Sequence, residues 1–307
     1  MLHLDLIGDL KSVHLRELSK LGYAITATTP AFDVAIQYLN VQNRRISSKP
    51  RKVHKAQELT YDPTLAPIIQ EITRKVQLGE SLWQYQSKQI LQSNLNDTLF
   101  NDWGINHLHV SDILESNGFM KRVSPLLFVF VTEDDFYMIK IMNHGVRTPN
   151  PPWADKNLLE VILKNWEFLL EPYGSDGWDS FDVTSEDEHL AFRKEKVNIL
   201  IRLSNGKVYG QIGGGISATG SNIQYSREID RGHYLLKQVE LYIKNNLGSF
   251  QSQIPSVSLH PLYKKSISSS FPLFQLAYFR DNQIAVAELH SKKLLRFSIE
   301  NQKVILI

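Results

Sequence analysis

The chain has 307 residues, of which 34 are basic and 32 acidic, and its formal net charge is +2. A charge so close to balance does not require a nucleic-acid or membrane partner, although it excludes neither. The absence of cysteine excludes disulfides, thiol catalysis and thiolate-ligated metals, so any metal would need histidine or carboxylate ligands.

The N-terminal part of the chain predicts two helices separated by a strand. Apolar side chains recur with helical spacing over residues 9–21, and Gly22 ends the pattern. Residues 23–29 favour a short strand, and residues 30–39 a second helix with proline in its first turn.

A cluster of basic residues follows between positions 42 and 57. Its members are Arg44, Arg45, Lys49, Arg51, Lys52 and Lys55. Serines and a proline between them indicate an exposed basic linker or arm. A solvated loop is the ordinary interpretation of such a cluster, and contact with a phosphate backbone is the alternative.

The middle of the chain changes from helical to strand-rich. Residues 62–93 predict two further helices that Gly79 separates, and residues 94–100 predict a short connector. From residue 103 onward, alternating or continuous apolar runs predict strands. These strands cover 104–110, 125–131, 135–142, 197–203, 208–212, 273–280, 283–289 and 293–299. Longer helical patterns occupy residues 155–170 and 228–246.

This order of elements predicts an α+β protein, in which a helical N-terminal region precedes a mixed, mainly antiparallel sheet with packed helices. We expect three segments: 1–57 as an N-terminal α/β segment with the basic linker, 58–100 as a helical region, and 101–307 as the α+β sheet domain. No stretch approaches the roughly 20 apolar residues that span a bilayer. The first residues also lack the features of a signal peptide, so we expect a cytoplasmic protein without a membrane partner.

The run from Trp103 to Asp112 carries two histidines in a strand-like alternation. Because side chains at i and i+2 point to the same side of a strand, His107 and His109 share one face with Trp103 and Ile105. Twice the rise of a strand places the two rings about 7 Å apart. That separation allows two imidazoles to flank one phosphate.

Paired imidazoles can perform acid/base catalysis near neutral pH. One can take a proton from an attacking hydroxyl while the other gives a proton to the leaving oxygen. This arrangement is typical of metal-independent RNA cleavage through the 2′-hydroxyl. His144 and Arg147 follow the next hairpin, and we expect them to assist, Arg147 by holding a phosphate.

Two other interpretations of the histidines remain open. In the first, His107 and His109 bind a metal, with Asp112 or His144 as the third ligand. In the second, both rings pack beneath Trp103 and have a structural role.

The glycine-rich segment 213–222 contains fragments of two nucleotide-binding motifs. Gly213, Gly215 and Ala218 match Gly-x-Gly-x-x-Ala, and Gly215 to Ser221 resembles a phosphate-binding loop without its lysine. The preceding strand belongs to an expected hairpin rather than to a βαβ unit, which argues against both motifs. We expect a tight loop that approaches another surface, with an anion on its amides as the alternative.

The histidine region also resembles a family of uncharacterised bacterial proteins. The matching blocks are Asp102-Trp-Gly-Ile-Asn-His-Leu-His109, Leu126-Leu-Phe-Val129 and Tyr137-x-Ile-x-Ile-x-x-His-Gly145. Members of that family carry Trp-Gly-Ile-His-His-Leu-His, so Asn106 replaces a histidine on the opposite strand face from the pair. The resemblance covers most of residues 60–300 and implies no established activity. The layout around the histidines is loosely similar to the barnase and RelE-type nuclease fold of bacterial toxins.

These features predict an RNA-cleaving enzyme of bacterial toxin or defence type, with RNA as its partner and no cofactor. Its catalytic residues would be His107 and His109, assisted by His144 or Arg147. The first alternative is a non-catalytic binding or regulatory protein, for example with a protein partner, in which the histidines are structural. The second alternative is a metal-dependent hydrolase with histidine ligands. The sequence gives no prediction of the oligomeric state.

Overall fold

The computed structural model describes residues 4–122, 125–143, 152–175, 185–247, 273–280, 282–289, 293–300 and 303–307. The helices in this part of the chain are α1 (Leu6–Lys20), α2 (Ala31–Arg44), α3 (Ala66–Leu78), α4 (Thr98–Trp103), α5 (Asn157–Trp166), α6 (Glu186–Lys194) and α7 (Ile223–Asn245). The strands are β1 (Lys52–Lys55), β2 (Ile105–His109), β3 (Leu126–Val131), β4 (Asp135–Met142), β5 (Gly174–Ser175), β6 (Ile201–Arg202), β7 (Val208–Tyr209), β8 (Phe274–Arg280), β9 (Gln283–Glu288), β10 (Lys293–Glu300) and β11 (Lys303–Leu306). The predicted α+β class is confirmed.

The chain forms two compact units. Unit 1 combines residues 1–38 with residues 226–307, and unit 2 comprises residues 39–225. This division differs from the three consecutive segments that the sequence predicts, because elements from both ends of the chain share one core. No helix in the described ranges is long and apolar enough to cross a membrane.

Unit 2 is built around a four-stranded sheet with the order β1-β4-β3-β2. β1 runs parallel to β4, whereas β4, β3 and β2 are antiparallel neighbours. β3 and β4 form the predicted hairpin, in which Val131 pairs with Phe136. Among the described residues β2 pairs with β3 alone and therefore lies at an edge of the sheet.

Each face of this sheet carries its own apolar core. Along β3, Leu126 and Phe128 belong to the core that contains α5, while Leu127 and Val129 belong to the core that contains α3. The alternation follows from the period of two in a strand. Burying one such side chain contributes about 1.5–3 kcal/mol, so both layers stabilise the sheet. A smaller sheet in the same unit has the order β5-β7-β6.

Unit 1 contains an antiparallel meander with the order β11-β10-β9-β8. α1 and α7 contribute apolar side chains to its core, among them Leu6, Leu236 and Val239. The three strands predicted from residue 273 onward are confirmed, and β11 is an additional strand. The backbone amide of Leu6 donates a 2.9 Å hydrogen bond to Oε1 of the buried Glu240, which joins the two helices.

Several local predictions are wrong. Residues 23–29 form an irregular segment with a turn at 27–28 rather than a strand. The helix expected after Gly79 is reduced to short 3-10 turns at Trp83–Tyr85 and Lys88–Leu91. The expected connector 94–100 contains the start of α4, which begins at the Asp97 cap.

The basic segment is not the exposed arm that its composition suggests. Arg44 and Arg51 are buried at 5% and 9% exposure, and residues 52–55 form β1. The Arg51 guanidinium donates to the carbonyl oxygens of Thr132 and Ser47 at 3.0 and 2.8 Å. Two of the six basic side chains therefore stabilise the fold of unit 2 from within.

Candidate ligand-binding cleft

The helix before the histidine strand fixes where that strand begins. The Asp97 carboxylate caps α4 by accepting a 3.1 Å hydrogen bond from the Phe100 amide. Gly104 ends the helix in the left-handed conformation, with φ of 69°. Only glycine adopts this conformation without steric cost, and the chain enters β2 at the next residue.

His107 and His109 contact each other on one face of β2. Their ring centroids are 5.8 Å apart and the rings meet edge to face. Ile105, on the same face, belongs to the α5 core, whereas Leu108 belongs to the α3 core. The alternation of the strand thus brings the two imidazoles together, slightly closer than the rise of a strand suggests.

The two histidines differ in their access to solvent. His109 is only 1% exposed, whereas His107 is partly exposed. A substrate can contact His107 but cannot reach His109 in this conformation. The predicted mechanism requires both rings at the reacting phosphate, and the burial of His109 does not support it.

His107 lies at the wall of a cleft that is open to solvent. The cleft lies beside the edge strand β2, and its walls combine one cation, one carboxylate, amide side chains and two aliphatic residues. The lining residues are Arg44, Gln86, Ser87, Gln89, Ile90, Leu95, Asp97, Asn106 and His107. The charges of Arg44 and Asp97 balance, so the cleft carries no net charge apart from any on His107.

Hydrogen bonds inside the protein hold one wall of this cleft. The buried Arg44 guanidinium donates a 2.7 Å hydrogen bond to the carbonyl oxygen of Gln92. The backbone carbonyl oxygen of Arg44 accepts a 2.9 Å hydrogen bond from Nε2 of Gln86. Oε1 of Gln86 accepts from the Ile46 amide at 3.3 Å. Arg44 and Gln86 therefore shape the wall, while the exposed Gln89 and the partly exposed Asn106 are accessible to a ligand.

A buried charged cluster lies directly before the histidine strand in the chain. Oδ2 of Asp102 accepts hydrogen bonds from Nε2 of His189 at 2.7 Å and from Nε of Arg193 at 2.6 Å. Burial alone would raise the pKa of the Asp102 carboxyl. The hydrogen bond from His189 and the charge of Arg193 outweigh burial and hold that pKa below its usual range.

Sequence reasoning missed this cluster, although two signals point to it. Ser185 and Glu188 form the start signature of a helix, and the Ser185 hydroxyl caps α6. His189 and Arg193 are four residues apart and thus share a face of that helix. Their common partner Asp102 is 87 and 91 positions away, so its identity could not be read from local spacing.

The other predicted site residues are His144, Arg147 and Asp112. His144 and Arg147 lie outside the described residues. Asp112 is exposed, and no group of three or more histidine or carboxylate residues in the described ranges could hold a metal ion. The predicted ligand set His107, His109 and Asp112 is therefore not brought together.

The glycine-rich loop packs tightly against α4, as expected for a loop that approaches another surface. The amides of Gly213 and Gly215 donate to the carbonyl oxygens of Asp102 and Asn101 at 2.9 and 2.8 Å. The amide of Ile216 donates to the Asn198 side chain at 2.6 Å. These amides are used within the fold, which argues against an anion site on this part of the loop.

The chain matches no family model, and no curated protein or solved structure is significantly similar to it. The resemblance through the Trp-Gly-Ile block therefore stays a prediction.

Proposed function

We propose that this protein is a non-catalytic binding protein whose cleft beside His107 takes a purine nucleoside. The observation that carries the proposal is the unequal burial of the histidines: His107 borders a polar cleft, while His109 is 1% exposed behind it. One accessible imidazole suits ligand contact, whereas the predicted acid/base pair needs two.

The composition of the cleft supports a planar, uncharged ligand with mixed hydrogen-bonding groups. The Gln89 and Asn106 carboxamides each combine a donor with an acceptor, and this pairing matches N6 and N7 of adenine. The His107 ring offers a surface on which a base can stack.

Titration calorimetry with adenosine, guanosine, cytidine and uridine tests this proposal. We expect a purine to bind the wild-type protein, and His107→Ala and Asn106→Ala each to weaken binding about tenfold, since one contact is worth about 1.4 kcal/mol. His54→Ala is the matched control, because His54 lies on β1 at the opposite edge of the same sheet. Failure of all four nucleosides to bind would refute the proposal.

RNA cleavage stays a prediction that the same proteins test. Single-stranded RNA is incubated with the wild-type protein, His107→Ala and His54→Ala in the presence of a chelator. Intact RNA in every sample is expected of a binding protein. Cleavage that is lost only in His107→Ala would instead favour a ribonuclease with His107 as its accessible group.

A further inference from the structure

The His107 ring packs among three other rings. The Trp153 indole meets it edge to face with 5.1 Å between centroids, and Phe128 contacts both rings at 6.4 and 6.1 Å. His109 lies 5.8 Å from the same imidazole. The position of Trp153 therefore influences where the His107 imidazole stands at the cleft wall.

Arg193 of α6 fixes the backbone of Trp153. Nη1 of Arg193 donates a hydrogen bond to the Trp153 carbonyl oxygen, while Nε of the same guanidinium donates to Asp102 at 2.6 Å. The guanidinium also lies over the Trp103 ring, with 4.3 Å to its centroid. Since the side chain is 3% exposed and held by three different groups, it has little freedom to move.

We infer that Asp102 and Arg193 are positioning residues, which hold Trp153 against His107 and so fix the imidazole at the cleft wall. Neither residue lines the cleft, so both act through Trp153. Asp102 fixes the guanidinium on one side, and the guanidinium presents its next donor to the Trp153 carbonyl. Binding sites keep their geometry when a second layer of hydrogen bonds locks the contacting side chains.

The planar fork of arginine is needed for this arrangement. Two donors on one rigid group reach the Asp102 carboxylate and the Trp153 carbonyl at the same time. Lysine provides a single ammonium on a flexible stem and cannot reproduce the fork. Arg193→Lys therefore keeps the buried positive charge but should release Trp153 from its position.

Nuclear magnetic resonance of the protein labelled at the histidine ring carbons tests the inference. The chain has 10 histidines, and the His107 resonance is identified as the one missing from His107→Gln. We expect this resonance to shift in Trp153→Phe, because the indole ring current is replaced. It should move in the same direction in Arg193→Lys and stay in place in Arg202→Lys, the matched control in unit 2.

Arg193→Met provides a second variant if Arg193→Lys does not fold, because it keeps an unbranched stem and removes both donors of the guanidinium. A His107 resonance that shifts in Trp153→Phe but is unchanged in folded Arg193→Lys or Arg193→Met would overturn the inference.

The consequence for affinity rests on the proposed function, since it assumes that His107 contacts the nucleoside. Arg193→Lys should then weaken purine binding about tenfold, whereas Arg202→Lys should not. If the wild-type protein binds no nucleoside, the proposed function fails, while the shift of the His107 resonance still decides whether Arg193 positions Trp153.

Discussion

The Nε atom of Arg193 donates a 2.6 Å hydrogen bond to Oδ2 of Asp102, although the two side chains are only 3% and 6% exposed. Asp102→Ala would leave the guanidinium charge buried without its carboxylate. We expect a loss of about 3–5 kcal/mol in the free energy of unfolding, measured by urea titration. Asp102→Asn should cost less because it still accepts a hydrogen bond. A loss below about 1 kcal/mol in Asp102→Ala would contradict this account.

The lowered pKa of Asp102 also gives this pair a pH dependence. The folded protein favours the ionised form of this carboxylate more strongly than the unfolded chain does. The ionised carboxylate therefore contributes fully to the free energy of unfolding above about pH 4. The contribution is lost as the pH falls through the lower pKa of the folded state. Asp102→Asn should therefore lose less stability on acidification than the wild-type protein, which urea titrations at a series of pH values would show.

The contact between Glu240 and the Leu6 amide leads to a prediction about the stability of unit 1. Glu240 is 2% exposed, and Glu240→Ala would leave the Leu6 amide without its acceptor. The expected loss is roughly 1–3 kcal/mol in urea unfolding, while Glu240→Gln should retain most of the stability because its carbonyl can accept the same bond. Lys237→Ala is the control for the salt bridge to Glu240. Because Lys237 is 55% exposed, this substitution should lower the free energy of unfolding by less than about 1 kcal/mol.

Gly213 provides a prediction about the glycine-rich loop. A β-carbon at this position would lie 1.9 Å from the Phe100 carbonyl oxygen and 2.5 Å from the Gly104 amide nitrogen. Both neighbours are backbone atoms, so Gly213→Ala must displace the loop or the end of α4. We expect a loss of about 1–3 kcal/mol, measured by thermal and urea unfolding. Gly213 is not among the glycines with positive φ, so a loss in Gly213→Ala reports the close contact rather than left-handed backbone strain. A Gly213→Ala variant as stable as the wild-type protein would argue against the close contact.

His14 should make the stability of unit 1 depend on pH. Burial, with a smaller effect of His233, lowers the pKa of His14 from 6.5 to about 4. The unfolded chain therefore binds a proton at His14 before the folded protein does, and stability falls as the pH drops from 6.5 towards 4. The full loss is at most about 3 kcal/mol.

His14→Phe removes this titration and keeps a ring to stack on Tyr38, whose centroid lies 4.3 Å from that of His14. The urea midpoint of this variant should change less between pH 7 and pH 4.5 than that of the wild-type protein. Burial lowers the pKa of His233 as well, so His233 makes stability fall with pH in both proteins. The contribution of His14 is therefore the difference between the pH profiles of the wild-type protein and His14→Phe. Parallel profiles would show that His14 does not contribute.

Elements with a strong apolar pattern could be predicted from the sequence, and elements held by distant partners could not. α3, with buried Ile69, Ile72 and Val76 and the capping Gly79, follows its helical spacing. Residues 23–29 contain strand-forming residue types but have no neighbouring strand in the described residues, and strand propensity is weak without one. α4 has 6 residues, too few to show a period, and its position depends on caps at both ends.

The candidate site shows the same division. Alternation along β2 places His107 and His109 on one face, and this could be predicted because the period of a strand is local. The burial of His109 could not, since it depends on how the rest of the unit packs around that face. Arg44, Gln86 and Gln89 come from segments that no local pattern connects to β2, so the cleft emerges only from the folded chain.

Unit 1 draws its core from both ends of the chain, and this has a consequence during protein synthesis. Asp9 of α1 accepts a 2.8 Å hydrogen bond from the amide of Leu276, which is 267 positions later. The first helix therefore leaves the ribosome long before the strand that it packs against exists. Unit 2 is complete at residue 225 and can fold in the interval, since domains generally fold as units in the order of their synthesis. The apolar face of α1 therefore lacks its core partners until α7 and then the C-terminal meander have been made.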